Sequence, residues 1–378
     1  MLNKKIDYII LGGGCSALNF ALEVSKRQIN DLSFLIIERR EKYTDDRSWC
    51  FWDNQKNKNK ELISKSWKKF SFNLNNKRIV SKSTEFSYHY IRSIDFYNYA
   101  IENINKAKNI SLNLGENVFE VIENKENFTV KSDKNSYTAG NILDTRPKND
   151  MFQNSPLLFQ SFLGFEINLK KNKYPNDTVG IMENMRYNQE YFLFDYILPI
   201  KKDRVLVETT SFSKTQLSAK QMERYLQESL KKNNFFDYKI VRKEYGVIPM
   251  GFLKKKSFNN NNNYFFGGSL GGAVRPSSGY AFLRIQEWAE AAANMLKNKK
   301  KLISHPHDNI IIHFLDRMFL KVLEKNITLA PFIFFTFFQR ISTTSFLRFM
   351  NGNANLVDYL KVIYAMPKKY FLRKGLWK

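Results

Sequence analysis

Cysteine is nearly absent from this chain, which carries only Cys15 and Cys50. So few thiols exclude a disulfide framework and a cysteine-based metal cluster, and they fit a reducing cytosol. Histidine is scarce too, limited to His89, His305, His307 and His313. No metal-ligand spacing joins them, and His305-Pro306-His307 reads as a loop, so no metal is expected. No apolar run approaches the roughly 20 residues that span a bilayer. The nearest, Leu329–Phe338, is broken by Pro331 and Thr336, so the chain is expected to lie on a membrane rather than cross it. No signal peptide is apparent either, because the first apolar run is short and leads straight into a glycine turn.

Acid is in short supply. Lys and Arg number 60 against 36 Asp and Glu, for a net charge of +24. Such a surface attracts anionic lipid, nucleic acid or acidic substrates. The excess is spread along the chain and is richest in Lys297–Lys301 and in Lys368, Lys369, Arg373, Lys374 and Lys378. It comes with no zinc-finger spacing, compact basic helix or RNA-binding aromatic motif, so no nucleic-acid partner is expected. A chain of 378 residues is long enough for two or three domains with a sizeable core.

Glycine, by contrast, is concentrated where it matters. Ile6–Leu11 is a short apolar run, Gly12-Gly13-Gly14-Cys15-Ser16-Ala17 follows, and Leu18, Ala21, Leu22 and Val24 keep helical spacing. Gly12, Gly14 and Ala17 fill the G-x-G-x-x-G/A pattern of a dinucleotide fold. The first glycine allows the tight turn, the second lets backbone approach a pyrophosphate, and the small third residue lets helix pack on strand. Glu38 ends the next apolar run 26 positions after Gly12, where a carboxylate can bond a ribose hydroxyl. The plainer alternative is a glycine-rich turn in an ordinary α/β domain. A second cluster, Gly267-Gly268-Ser269-Leu270-Gly271-Gly272, follows the strand-like Tyr264-Phe265-Phe266 about 250 residues later. Ser277–Tyr280, with Gly279, is placed to open the helix that runs to Leu296, its amides toward the cofactor. Two such clusters argue for one extended dinucleotide held at both ends.

Between them the pattern changes. Lys77–Tyr90 alternates as strands, and Arg92-Ser93 reads as a helix start with Ser93 as N-cap. Arg92 either reaches the cofactor phosphates or is a surface arginine. Strands are expected at Asn117–Ile122, Phe128–Ser132, Ser136–Ala139 and Asn141–Asp144, where Asp144 and Arg146 fix loop geometry beside the cofactor. Residues 156–250 read as a separate antiparallel sheet, interrupted by a helix over Thr215–Lys232, with return to the nucleotide domain at Tyr245–Met250. Beyond residue 301 the chain reads helical and rich in Phe and Lys, suiting an apolar, cation-ringed interfacial face. Trp49 and Trp52 could equally be a core corner or the floor of an apolar ligand site.

These residues resemble the flavin-dependent lycopene beta-cyclases of bacteria, which are similar to the wider aromatic-hydroxylase-type flavoproteins. The resemblance covers nearly the whole chain. It rests on Gly12–Ala17, Arg47-Ser48-Trp49-Cys50-Phe51-Trp52, Ile91-Arg92 with Asp95-Phe96-Tyr97, and Leu143-Asp144-Thr145-Arg146. It continues through Gln160–Ile167, Tyr196-Ile197-Leu198-Pro199, Leu206–Phe212, Gly246-Val247-Ile248-Pro249 and Pro276–Tyr280. The implied architecture is α/β: a Rossmann-like FAD-binding domain, an inserted antiparallel β-sheet substrate domain and a helical C-terminal region. The expected boundaries are 1–55, 88–150 and 245–300 for the first, 56–87 and 151–244 for the second, and 301–378 for the third.

The resemblance implies FAD, kept reduced by NADPH or another donor, and lycopene or a related carotenoid as substrate. It also implies a redox-neutral cyclisation in the bacterial cytoplasm, at the anionic surface of the inner membrane. It assigns cofactor contacts to Gly12, Gly14, Ala17, Glu38, Arg92, Asp144, Gly267, Gly268 and Gly279. Glu208 corresponds to the family's catalytic acid; a second acid found in some members is Thr209 here. Arg275 stands where His is common, and Gly268 where the hydroxylases carry Asp. From pattern alone, Leu206, Glu208 and Thr210 share one strand face, and a lone acid on such a face is more often solvated. Glu166, in the similar setting Phe165-Glu166-Ile167, is either a second acid or an ion-pair partner.

Overall fold

The computed structural model describes residues 6–54, 60–147, 157–252, 263–306 and 308–371. Asn259–Asn262, His307 and the terminal cations Arg373, Lys374 and Lys378 therefore lie outside the described residues. In chain order the elements begin with β1 (Ile6–Leu11), α1 (Cys15–Lys26), β2 (Phe34–Glu38), β3 (Ser48–Asp53), β4 (Lys65–Trp67) and β5 (Lys69–Leu74). Then come β6 (Lys77–Lys82), β7 (Ser87–Arg92), α2 (Ser93–Ile104), β8 (Ile110–Leu114), β9 (Val118–Glu123), β10 (Phe128–Ser132) and β11 (Ser136–Asp144). Next are β12 (Leu158–Leu169), β13 (Thr178–Tyr187), β14 (Tyr191–Pro199), β15 (Arg204–Ser213), α3 (Ala219–Lys232) and β16 (Tyr238–Met250). The chain closes with β17 (Tyr264–Phe266), α4 (Gly268–Gly271), α5 (Phe282–Lys297), α6 (Ile310–Lys325), α7 (Ala330–Arg340), α8 (Thr343–Met350), α9 (Leu356–Ala365) and α10 (Lys368–Phe371).

Two compact units emerge. The first comprises Met1–Thr44, Ser93–Ser155 and Phe252–His307. Its sheet runs β8-β2-β1-β11, with β17 also on β11; these strands are parallel, and β10 and β9 extend the sheet antiparallel. Ile9, Leu11, Leu35, Ile37 and Ile142 form one apolar layer. Phe20 of α1 meets Trp288 of α5 at a ring separation of 5.9 Å. The sequence reading divides β11 into two strands, whereas it is one of nine residues, because Gly140 continues the ladder rather than ending it. Ser93 is the first residue of α2 rather than its cap. The late helix starts at Phe282, not at Ser277–Tyr280, and the glycine cluster itself coils into the short α4.

The second unit comprises Asp45–Arg92, Pro156–Gly251 and Asp308–Lys378. Its main sheet is ordered β16-β12-β15-β14-β13-β5-β6. All neighbours are antiparallel except β13 and β5, which run parallel. One face is apolar: Leu163, Phe165, Ile197, Val205 and Val207 pack against Met222, Leu226 and Leu230 of α3. That helix opens at Ser218, whose side chain forms a capping box with Gln221. Strand β16 pairs with β12 along its whole length, so the chain does not leave this sheet at Tyr245 as its apolar run suggests. A small second sheet, β3-β7-β4, belongs to the same unit. The terminal helices cluster with this unit too; Phe338 of α7 stacks on Phe72 with ring centroids 3.6 Å apart. Among the described residues no helix is long and apolar enough to cross a membrane.

Candidate active site

In the first unit the glycine turn follows β1. Gly12 has φ +88°, a conformation that favours glycine, and an added Cβ would lie 3.1 Å from Arg146 Cγ. Gly14 differs: nothing lies within 4 Å of where its Cβ would be. It is also the N-cap of α1, with no side chain capping the helix. Uncapped first-turn amides facing open space are an anion cradle. Ala17 is fully buried, as close helix-to-sheet packing requires.

Glu38 is buried at the end of β2. It accepts from the amide of Gly13 at 2.5 Å and from the amide and Nε of Arg40 at 2.9 and 3.1 Å. Burial works to raise its pKa, but the hydrogen bonds and charge of Arg40, with the Gly13 amide, hold it below the usual range. Glu38 is therefore a fixed carboxylate beside the glycine turn.

At the second cluster, Gly268 takes φ +61° beside Ser16, and Gly279 also has positive φ. An added Cβ at Gly267 would meet Thr145 at 3.0 Å and Trp288 at 3.1 Å. Asp144 is completely buried and accepts from the amide, Nε and Nη2 of Arg146 and from the Tyr264 hydroxyl at 2.7 Å. That carboxylate shapes the turn. Arg275 is buried, with its amide on Tyr280 O.

The second unit holds the acids. Alternation along β12, β15, β16 and β14 puts Phe162, Gly164, Glu166, Glu208, Thr210, Phe212, Arg242, Glu244, Phe194 and Tyr196 on the face opposite α3. Gly164 stands opposite Glu208 on one side and opposite Glu244 on the other. A Cβ at Gly164 would lie 3.1 Å from Glu244 Cγ and Oε1 and 3.3 Å from Glu208 Cβ. Glu208 is half-buried on this face. Burial first, and then the charge of Glu244, push its pKa up to about 8. Burial also raises Glu244, against the opposing charge of Arg242.

Glu166 resolves to an ion-pair partner. Its oxygens take Arg204 Nη1 at 3.3 Å and Arg242 Nε at 3.1 Å. Thr209 faces away from Glu208 and donates to the buried Asp195 at 2.8 Å. Arg92 ends β7, and its guanidinium pairs with Asp45 at 2.8 Å. Trp52 is a core residue packed on Phe70 and Tyr88, while Trp49 is half-buried. The same tryptophan-rich segment supplies Ser48, which accepts from Arg242 at 2.7 Å, and Cys50, whose thiol is raised by burial and by both acids.

Glu244 is the residue that sequence reasoning missed. Its signal was present: Arg242, Glu244 and Gly246 alternate on one strand, and Gly164 offers the gap. Reading it required knowing which strands neighbour β12.

Among curated protein sequences none matches the chain. Solved structures share its fold along nearly its full length. A geranylgeranyl bacteriochlorophyll reductase-like protein from Thermoplasma acidophilum aligns over 97% of each chain, with a TM-score of 0.61 and 11% identity. The flavin-dependent brominase Bmp2 gives 0.63 and 10% identity over 96% of this chain and 97% of that one. The flavin-dependent monooxygenase PieE, in complex with FAD and substrate, gives 0.57 and 10% identity over 96% of this chain and 70% of its own. At such identities the likeness establishes the fold, the α/β architecture of flavoenzymes that the sequence led us to expect. The sequence also matches the lycopene cyclase protein family over residues 7–374, nearly its entire length, and the chain belongs to that family of enzymes.

Proposed function

We propose that this protein is a lycopene beta-cyclase, closing the acyclic ψ ends of lycopene into β-ionone rings to give γ- and β-carotene. The observation that carries this reading is Glu208, an acid raised to about 8 on a sheet face shared with Phe162, Phe194, Tyr196 and Phe212. Such a carboxyl stays protonated near neutral pH and can donate to the terminal double bond. The neighbouring double bond then attacks the tertiary cation and a proton leaves. Ring faces suit the cation electrostatically.

The first unit fits a dinucleotide cofactor, as its open cradle at Gly14 and fixed carboxylate at Glu38 indicate. Gly12, Gly14, Ala17 and Glu38 would hold one end of FAD, and Gly267, Gly268 and Gly279 the other. Asp144 and Arg92, engaged by Arg146 and Asp45, serve that site by shaping its surroundings. When bound and reduced by NADPH or another donor, FAD would supply negative charge without net electron transfer.

The partner surface we assign to an anionic membrane is α9. It presents Leu356, Val357, Leu360, Ile363 and Tyr364 to solvent, with Leu356 72% and Tyr364 70% exposed. Lys361, Lys368 and Lys369 lie along the same segment. An apolar stripe with flanking cations suits the lipid interface, and it supports our reading of a peripheral protein at the inner face of a bacterial cytoplasmic membrane.

Pigment analysis of a lycopene-accumulating host expressing the chain is the test. Cyclic carotenoids are expected; unchanged lycopene would refute the reading. The shared fold with a reductase-like protein and a monooxygenase favours one alternative, a flavoprotein reductase or monooxygenase acting on an isoprenoid. It would consume NADPH stoichiometrically or need oxygen, whereas a cyclase turns over anaerobically.

A further inference from the structure

Glu244 is 3% exposed, and its Oε1 has no hydrogen-bond partner among the described residues. Leaving a buried acceptor unmet is costly, and more so for a charged group. Its other oxygen, Oε2, takes Arg242 Nη1 at 2.9 Å. Glu208 has a different environment: Thr210 donates to its Oε1 at 3.2 Å, and the cations Arg242 and Arg47 act on it only through space. So Glu244 is the member equipped to be ionised and Glu208 the member equipped to keep a proton. Gly164 is what lets both occupy the same span of sheet.

We infer that Glu208 and Glu244 form a dyad holding a single proton, in which Glu208 delivers it and Glu244 receives it back. The inference takes its substrate from the cyclase reading. The proton of Glu208 bonds to the terminal double bond using that bond's π pair, leaving a tertiary cation. The π pair of the neighbouring double bond makes the new carbon–carbon bond. The Glu244 carboxylate then removes a ring proton, and the released C–H pair becomes the ring double bond. Transfer of that proton from Glu244 to Glu208 restores the starting state. Nothing is oxidised or reduced, and no proton is consumed. Two like charges so close cannot both ionise easily, which is why one proton is retained.

The groups facing the pair are Arg242 on its own strand, Arg47 ahead of β3, Ser48 and Cys50 on β3, Tyr90 on β7, and Glu166, which is bound to Arg204. Arg47 is anchored on Tyr245 O at 2.7 Å. Among the described residues near the pair, Glu244 is the acid with a fully buried oxygen that accepts no hydrogen bond.

The test is a pH titration of the full-length protein by difference infrared spectroscopy, following the carbonyl stretch of a protonated carboxyl, paired with pigment analysis in lycopene-producing cells. The wild type should show the band at pH 7 and lose it as pH rises through about 8. Glu208→Gln should remove the band. Glu244→Gln should move its loss to lower pH and reduce ring formation by about 100-fold or more, the scale of a lost acid–base group. Glu244→Asp, which keeps the charge one methylene further away, should shift the band less, and serves if the amide variant folds poorly. A band whose titration ignores both Glu244 variants, or full cyclisation by Glu244→Gln, overturns the dyad. If the band and its shift are present while wild-type cells retain lycopene, the cyclase reading fails and the shared proton stands.

Discussion

Glu208 and Glu244 belong to strands on opposite sides of β12 and meet over the one residue there without a side chain, Gly164. An alanine methyl at that position would press on Glu244 Cγ and Oε1 at 3.1 Å. Gly164→Ala should therefore leave the protein folded, destabilised by about 1–3 kcal/mol from overpacking, and should reduce ring formation. Urea unfolding and pigment analysis of the same variant separate the two effects. A variant as stable and as active as wild type would show that the acids have room to spare.

Glu208→Gln should retain fold and flavin and lose ring formation by about 100-fold or more. Its effect on stability has a defined sign. The folded pKa is raised, so the folded state binds the extra proton, and the associated stability is present at low pH and lost as pH rises toward about 8. At pH 9 the glutamine variant should melt above wild type, by several degrees; near pH 4 the two should melt together. Equal melting temperatures at pH 9 would mean that Glu208 is ionised in the fold without penalty.

Arg242 reaches Glu166, Glu244 and Asp45 at 3.1, 2.9 and 3.4 Å while remaining 8% exposed at its side chain. Arg242→Met strands the buried Glu244, while Glu166 keeps Arg204 and Asp45 keeps Arg92. Losing one partner of a buried pair removes about 3–5 kcal/mol, and the loss should be greater at pH 8 than at pH 5, because burial already raises the Glu244 carboxyl and protonation relieves it once Arg242 is gone. Chemical denaturation at the two pH values reads this directly.

Gly14→Val should abolish flavin absorbance in the purified protein while leaving the apoprotein's melting temperature nearly unchanged. No protein atom lies within 4 Å of the added Cβ, so under the proposed function the side chain would obstruct the cofactor phosphate rather than the protein. A large fall in apoprotein stability would show that the open space has a structural role.

Leu360→Asp with Ile363→Asp should weaken flotation with anionic vesicles and leave melting unchanged, since both side chains are exposed on α9. Binding to neutral vesicles should be weaker than to anionic ones, and high salt should reduce the difference. Undiminished flotation of the double variant would direct attention to another face.

The glycine turn, Ala17 and Glu38 were legible in the sequence because each is a local requirement: a turn, a close approach, a strand end. Glu208 was legible through resemblance, not pattern. Asp144 was expected to fix the geometry of its loop, and in the structure its carboxylate is saturated by Arg146 and Tyr264. The boundary near Tyr245 was misplaced because an apolar run looks the same whether it ends one sheet or begins another.

By itself the sequence determined the two glycine clusters, the strand that carries Glu208 and the phenylalanine-rich helices of the second unit. These follow from periodicity and turn chemistry, which act over a few residues. Only tertiary structure decided which acid stands beside Glu208. Glu166 lies two residues from Gly164 on the same strand face, yet it is engaged by Arg204 and Arg242. Glu244 is 36 residues away from Glu208 in the chain and reaches it because β16 and β15 flank β12. Strand order is set by loop closure and burial across the whole sheet, and no local pattern records it.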